Sequence, residues 1–248
     1  MKYIESAKNQ KVKEWKKLHT KKERDRTNTF LVEGFHLVEE ALKSEGAVKE
    51  LILTDQTNLP KDLNPQINCY VVSEDAFLAI SETETPQQIA GVCQMQRSPE
   101  VKGEKWLLVD AVQDPGNLGT IIRTADAAGI DGVILGKGTV DAYNSKTLRS
   151  AQGSHFHLLL EKRDLLEFTD QLKKQGISIF GTALQDAVSY NQINPSDQFA
   201  LIVGNEGAGV DPELLEKSDQ NLYVPIYGQS ESLNVAVAAG ILLYHLNG

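Results

Sequence analysis

The chain has 248 residues, 41% hydrophobic and 24% charged, enough material for one large or two small cores. Its longest apolar runs, such as 235–244, stop short of the roughly 20 residues a membrane span needs, and Met1-Lys2-Tyr3 opens no signal-peptide pattern; a cytoplasmic protein of two domains with no membrane partner is expected. A formal net charge of −9 argues against a nucleic-acid partner for the body, and Cys69 and Cys93 supply neither a disulfide framework nor a CxxC metal pair, so both are expected as buried free thiols.

Residues 1–26 depart from the acidic average, with ten basic side chains against four acidic, a local charge of +6. Such an arm is either a solvated helix face or loose terminus, or a segment that tracks phosphates. The stretch "TFLVEGFHLVEEALKSEG" (29–46) has apolar residues at helical spacing and is predicted as a helix ending on Gly46. "VKELILT" (48–54), "CYVVS" (69–73) and "QIAGVCQM" (88–95) read as strands of a small α/β domain. "RSPEVKGEK" (97–105) is charged, carries Pro99 and Gly103, and reads as an exposed join. Beyond it, "KWLLVDAV" (105–112), "GVILG" (132–136), "ISIFGTAL" (177–184), "FALIVGNE" (199–206) and "NLYVPI" (221–226) are short apolar runs separated by helical segments. That alternation predicts βαβ units, a mainly parallel sheet covered on both faces, and ligands at the carboxyl ends of its strands.

Three loops follow those strands. In "DAVQDPGNLGTIIRTADAAG" (110–129), Pro115-Gly116 makes a turn, Asn117 is the expected N-cap, and Arg123 lies within the helix, where it either snorkels to the surface or serves a site. "LIVGNEGAGV" (201–210) packs Gly204, Gly207 and Gly209 around Glu206, a carboxylate that needs a partner, for which Arg123 is the candidate. Neither GxGxxG nor GxxxxGK[ST] occurs, which disfavours a nucleotide-dependent enzyme such as a dehydrogenase. In "VPIYGQSESLNVAVAAGILLYHL" (224–246), Pro225 ends a strand and a polar turn holding Ser232 and Asn234 opens a helix of Val, Ala and Gly suited to very close packing.

Together "NLGTIIR" (117–123), "GNEGAG" (204–209) and "PIYG…SLNVAVA" (225–238) resemble the ordered motifs of the TrmH/SpoU family of RNA 2′-O-ribose methyltransferases, within the SPOUT superfamily. "SKTLRSAQGSHF" (145–156) resembles a further family segment through Arg149, Ser150 and Gly153, and "FLVEGFHLVEEALKSEGAVKELILT" (30–54) resembles an L30e-type substrate-binding domain. The resemblance implies an α/β protein: an L30e-like RNA substrate-binding domain at 1–97, a linker at 98–104, and a SPOUT methyltransferase domain at 105–248 with a parallel sheet and a deep trefoil knot. Connectivity rules alone would not predict the knot. It implies S-adenosylmethionine as cofactor, held by Leu184, Gly204, Glu206, Ile226 and Leu233, with no metal, and a homodimer through the C-terminal domain.

The catalytic set implied is Asn117, Arg123, Glu206, Ser232 and Asn234, with Glu206 and Asn117 orienting the Arg123 guanidinium. Arg123 is either the group that activates the 2′-hydroxyl or, since guanidinium seldom deprotonates in proteins, an electrostatic stabiliser of the developing alkoxide. Lys11, Lys13, Arg24 and Arg149 are the expected RNA contacts, and large-subunit ribosomal RNA is the expected substrate. A transfer-RNA substrate and a non-catalytic RNA-binding protein of the same fold are the alternatives.

Overall fold

The structure, a computed structural model, describes residues 1–56, 63–95 and 102–248. It divides into two units, Met1–Gln96 with Tyr143–Phe156, and Arg97–Ala142 with His157–Gly248.

The first unit contains β1 (Lys2–Ile4), α1 (Gln10–Lys17), α2 (Lys21–Thr27), β2 (Thr29–Glu33), α3 (Phe35–Lys43), β3 (Val48–Leu53), β4 (Asn68–Val72), α4 (Glu74–Leu78) and β5 (Ile89–Gln94). Its five-stranded sheet has the order β1-β4-β3-β5-β2. β1, β4 and β3 run parallel, and β5 is antiparallel to β3 and β2. The two-residue side-chain period feeds two cores. Ile52, Tyr70 and Val72 pack with Val12 and Trp15 of α1 and Phe77 of α4. Leu51, Leu53, Phe30 and Val32 pack with Leu37, Val38 and Ala41 of α3.

The helix expected over 29–46 is two elements. Phe30 and Val32 are buried while their neighbours are not, the pattern of a strand, and β2 pairs with β5 from Thr29↔Gln94 to Glu33↔Ala90. Gly34, at φ +99°, then turns the chain into α3. The basic arm is not a loose tail. Asn9 caps α1 by accepting from Lys11 N at 2.8 Å, and the buried Trp15 donates from Nε1 to Glu50 at 2.6 Å. Cys93 is buried and Cys69 half-buried, and both are free thiols; burial pushes the Cys93 thiol well above its ordinary pKa.

The units differ from the single boundary expected near residue 100. Helix α6 (Ser145–Ala151) and the turn after it belong to the first unit, because Leu148 and Phe156 enter its core and the Tyr143 and Phe156 rings lie 4.7 and 5.9 Å from that of Phe30. Residues 98–101 of the expected linker lie outside the described residues.

The second unit contains β6 (Lys105–Val109), α5 (Pro115–Ala127), β7 (Gly132–Leu135), β8 (Leu159–Lys162), α7 (Leu165–Lys174), β9 (Ser178–Thr182), β10 (Val188–Ser189), β11 (Phe199–Val203), α8 (Pro212–Lys217), β12 (Gln220–Tyr223) and α9 (Val235–Asn247). Its seven-stranded sheet, order β10-β12-β9-β11-β6-β7-β8, is parallel throughout, as expected. All five residues of the central β11 are buried, which is why it reads as an unbroken apolar run. Trp106, Leu108 and Ile202 pack with Phe168 and Leu172 of α7 and Leu214 of α8.

Helix α9 lies along α5. Tyr244 Oη donates to Ala127 O at 3.3 Å, Asn247 Nδ2 donates to Ala128 O at 3.0 Å, and a methyl built at Gly240 would touch Thr124 Cγ2 at 3.4 Å. The small residues of α9 are therefore what lets the two helices approach. No helix among the described residues is long and apolar enough to cross a membrane.

Candidate active site

The order β12-β9-β11-β6 brings four carboxyl ends side by side. The loops that leave them are 110–114, 183–187, 204–211 and 224–234, and these carry the motifs singled out in the sequence.

Asn117 does not cap α5. Asp114 is the N-cap, accepting from Asn117 N at 2.8 Å, with Pro115 in the first turn, where its missing N–H costs nothing. Asn117, inside the first turn, is left to bridge. Its Nδ2 donates to Glu206 Oε1 at 3.0 Å, and its Oδ1 accepts from Asn234 Nδ2 at 2.9 Å. Glu206 also accepts from Gln113 N at 3.1 Å and Asp114 N at 3.0 Å. One hydrogen-bonded chain, Glu206–Asn117–Asn234, thus ties together three loops spanning 117 positions of sequence.

The Glu206 carboxylate is pulled two ways. Desolvation raises its pKa, and the side-chain bond from Asn117 with the backbone N–H bonds outweighs that, leaving it below its ordinary value. Glu206 is therefore ionised near neutral pH, an orienting anion and a poor proton acceptor.

The turn that presents Glu206 is closed by Asn205 N donating to Gly209 O at 2.8 Å and Gly209 N to Asn205 O at 3.0 Å. Asn205 Oδ1 accepts from Gly207 N and Ala208 N, both at 2.9 Å, and Asn205 Nδ2 donates to Ala111 O at 2.8 Å. Ala111 has φ +53°, a left-handed conformation unusual for alanine, held by this bond. Asn205 is a positioning residue the sequence reading passed over, although it stands inside the "GNEGAG" motif. Asp110 is another: its carboxylate accepts from Asp211 N at 2.8 Å, and burial raises its pKa.

Asn234 caps α9, accepting from Ala236 N at 2.9 Å and Val237 N at 3.4 Å, so it has two separable roles. Asn234→Ala is expected to lower stability by about 1 kcal/mol through the lost cap. Asn234→Ser keeps a capping oxygen and loses the reach to Asn117, so it should melt close to wild type while breaking the link between the two loops. Thermal melts of the two variants separate the cap from that link.

Arg123 is exposed and forms neither a hydrogen bond nor an ion pair with any described residue. The expected pairing with Glu206 is not made: Asn117 and two backbone N–H groups take the carboxylate, and Asn117 orients Glu206 and Asn234 in place of the guanidinium. Ser232 is exposed, and its carbonyl accepts from Ser230 Oγ at 2.9 Å. Leu184 and Leu233 are 71% and 37% exposed, Ile226 is half-buried and Gly204 is buried.

In the first unit, two of the four expected RNA contacts are otherwise engaged. Arg24 is 4% exposed and donates from Nη1 to Leu18 O at 2.7 Å, which makes it a brace for the α1–α2 turn. Lys11 pairs with Glu50 at 2.6 Å and lies over the Trp15 and Tyr70 rings. Lys13 and Arg149 are exposed, as are Lys16, Lys17, Lys21 and Lys22.

Residues 105–244 match the SpoU rRNA Methylase family and residues 9–91 the MRM3-like substrate binding domain; the chain belongs to the SpoU rRNA methylase family. It is 67% identical, over 248 residues and 100% of both chains, to the 23S rRNA (guanosine(2553)-2′-O)-methyltransferase RlmP of Bacillus subtilis strain 168. The AdoMet-bound rRNA methyltransferase from Sinorhizobium meliloti superposes with a TM-score of 0.87 at 33% identity, over 99% of this chain and 97% of that one. The SpoU methyltransferase AviRb from Streptomyces viridochromogenes, in complex with AdoMet, gives 0.85 at 26% identity, over 96% and 97%.

Proposed function

We propose that this protein methylates a ribose 2′-hydroxyl of 23S ribosomal RNA, at the nucleotide equivalent to the guanosine 2553 named for its Bacillus subtilis relative. The observation that carries the reading is the Glu206–Asn117–Asn234 chain, which links the three family motifs at one sheet edge. A transfer-RNA substrate is the alternative.

The loops suit S-adenosylmethionine. Gly204 passes so close to its own turn that a methyl there would lie 2.2 Å from Gly209 C, while Gly207, Ala208 and Gly209 stay exposed in a turn whose N–H groups are tied to Asn205 and whose shape is therefore fixed. Leu184, Ile226 and Leu233 offer apolar surface for an adenosyl group, and the anionic Glu206 complements a sulfonium. When bound, the cofactor supplies a methyl group on a positively charged sulfur. Arg123, free of internal partners, holds the phosphate beside the target ribose and stabilises negative charge developing on the 2′-oxygen. The Ser232 hydroxyl and Asn234 stand at the mouth of α9 to position the ribose. Lys13 and Arg149 contact RNA backbone.

The last segment is read as the trefoil knot of the family, supported by β12 lying between β9 and β10 in the sheet and by α9 returning onto α5. Val237 and Tyr244 of α9, 52% and 57% exposed and seven positions apart on one helix face, support a homodimer through this helix. A ribosomal substrate supports a cytoplasmic location.

Incubating the protein with methyl-labelled S-adenosylmethionine and either 23S rRNA or total tRNA from a strain lacking it should label the rRNA. Label confined to tRNA would select the alternative, and no label with cofactor binding absent would leave an RNA-binding protein.

A further inference from the structure

Tyr227 is 94% exposed, the most exposed of the large apolar side chains among the described residues. It stands between Ile226, read above as a cofactor contact, and Ser232 and Asn234 of the reaction site. Its hydroxyl makes no hydrogen bond with a described residue, and a methyl built on the adjoining Gly228 meets nothing within 4 Å, so the loop is open on this side. The rest of the turn, Gly228-Gln229-Ser230-Glu231-Ser232, is small or polar. A solvated aromatic ring in such a turn forgoes the burial that makes aromatic residues favourable, and nothing in the turn needs it for folding.

We infer that Tyr227 is a positioning residue for the RNA, its ring stacking on an unpaired base at or next to the methylated nucleotide. Sequence-specific RNA recognition targets splayed bases, which stack on aromatic side chains; the ring loses little rotamer freedom in doing so. Stacking suits this position better than ionic contact, because Glu231 in the same turn repels phosphate. This inference rests on the methyltransferase reading and adds a specificity contact to it.

Tyr227→Ala is expected to weaken binding of a 23S rRNA fragment roughly 5- to 150-fold, the range that base–aromatic stacking supplies. The loss should appear in KM for RNA, with affinity for S-adenosylmethionine and dimer mass unchanged and the salt dependence of binding unaltered. Tyr227→Phe and Tyr227→Trp should rescue RNA affinity, because the ring and not the hydroxyl does the stacking. RNA affinity unchanged in Tyr227→Ala would overturn the inference, as would a loss accompanied by weaker cofactor binding or a dissociated dimer, which would assign the ring to those contacts. Wild-type protein that transfers no methyl at all would instead defeat the methyltransferase reading itself.

Discussion

Replacing Arg123 with alanine is expected to slow methyl transfer on the order of 10²-fold or more while leaving fold and cofactor affinity intact. The structural half of that expectation follows from geometry. Arg123 is exposed on α5 and has no partner among the described residues, so its removal breaks no internal bond. Surface substitutions of that kind usually shift stability by no more than about 0.5 kcal/mol. The catalytic half follows from charge. A ribose hydroxyl becomes a good nucleophile only as its proton leaves, and a cation beside the forming alkoxide lowers the cost of that charge. Arg123→Lys separates the two roles open to this residue. A lysine amine is easier to deprotonate than guanidinium, so a proton-accepting role predicts a lysine variant whose rate climbs with pH. An electrostatic role predicts partial activity with no new pH dependence, since the charge stays and the planar fork is lost. The second outcome is expected, and rate profiles of both variants decide it.

The second large effect belongs to Gly204. Its φ is ordinary, so the need for glycine is steric: a methyl there would lie 2.2 Å from Gly209 C, 2.3 Å from Gly209 O and 2.3 Å from Val210 N. All three are backbone atoms of the turn that Asn205 and Gly209 close, and none can swing aside as a side chain would. Gly204→Ala must open that turn, which costs about 1–3 kcal/mol on the scale of overpacked sites. The melting transition of the second unit should fall by roughly 2–10 °C, and S-adenosylmethionine affinity should drop at least about tenfold as the loop loses its shape. Gly207→Ala is the internal control, because a methyl there meets only Asn205 Oδ1 at an ordinary 3.7 Å. Equal effects of the two substitutions on melting would contradict this account of the loop.

The parallel sheet of the second unit could be read from sequence because β6, β7, β9 and β11 are buried on both faces and so appear as plain apolar runs. Strands β8 and β10 went unread, being four and two residues long with mixed burial. In the first unit, Phe30 and Val32 alternate as a strand does, but they run directly into the helically spaced residues of α3, and Gly34 and the pairing with β5 set the boundary between the two. The assignment of 143–156 to the first unit was illegible, since its anchors, Tyr143, Leu148 and Phe156, look like any apolar residues beside a loop. The three motifs that meet at the carboxyl ends were legible and their wiring was not. Asn117, Arg123, Glu206, Ser232 and Asn234 were singled out from those motifs, and the hydrogen bonds join Glu206 to Asn117 and backbone N–H groups and Asn117 to Asn234, leaving Arg123 outward. Which carboxylate meets which donor depends on strand order, and strand order is not written locally. Arg24 shows the same limit, since its charge suggested a surface and Leu18 O holds it inside.

The most direct test of the account is to map methylated riboses in 23S rRNA from a strain lacking this protein, after incubation with S-adenosylmethionine and either wild-type protein or Arg123→Ala. The account predicts one new 2′-O-methylguanosine, at the position equivalent to guanosine 2553, made by the wild type and at most about 1% as fast by the variant. Methylation elsewhere in the rRNA, or an Arg123→Ala protein as fast as wild type, would contradict it.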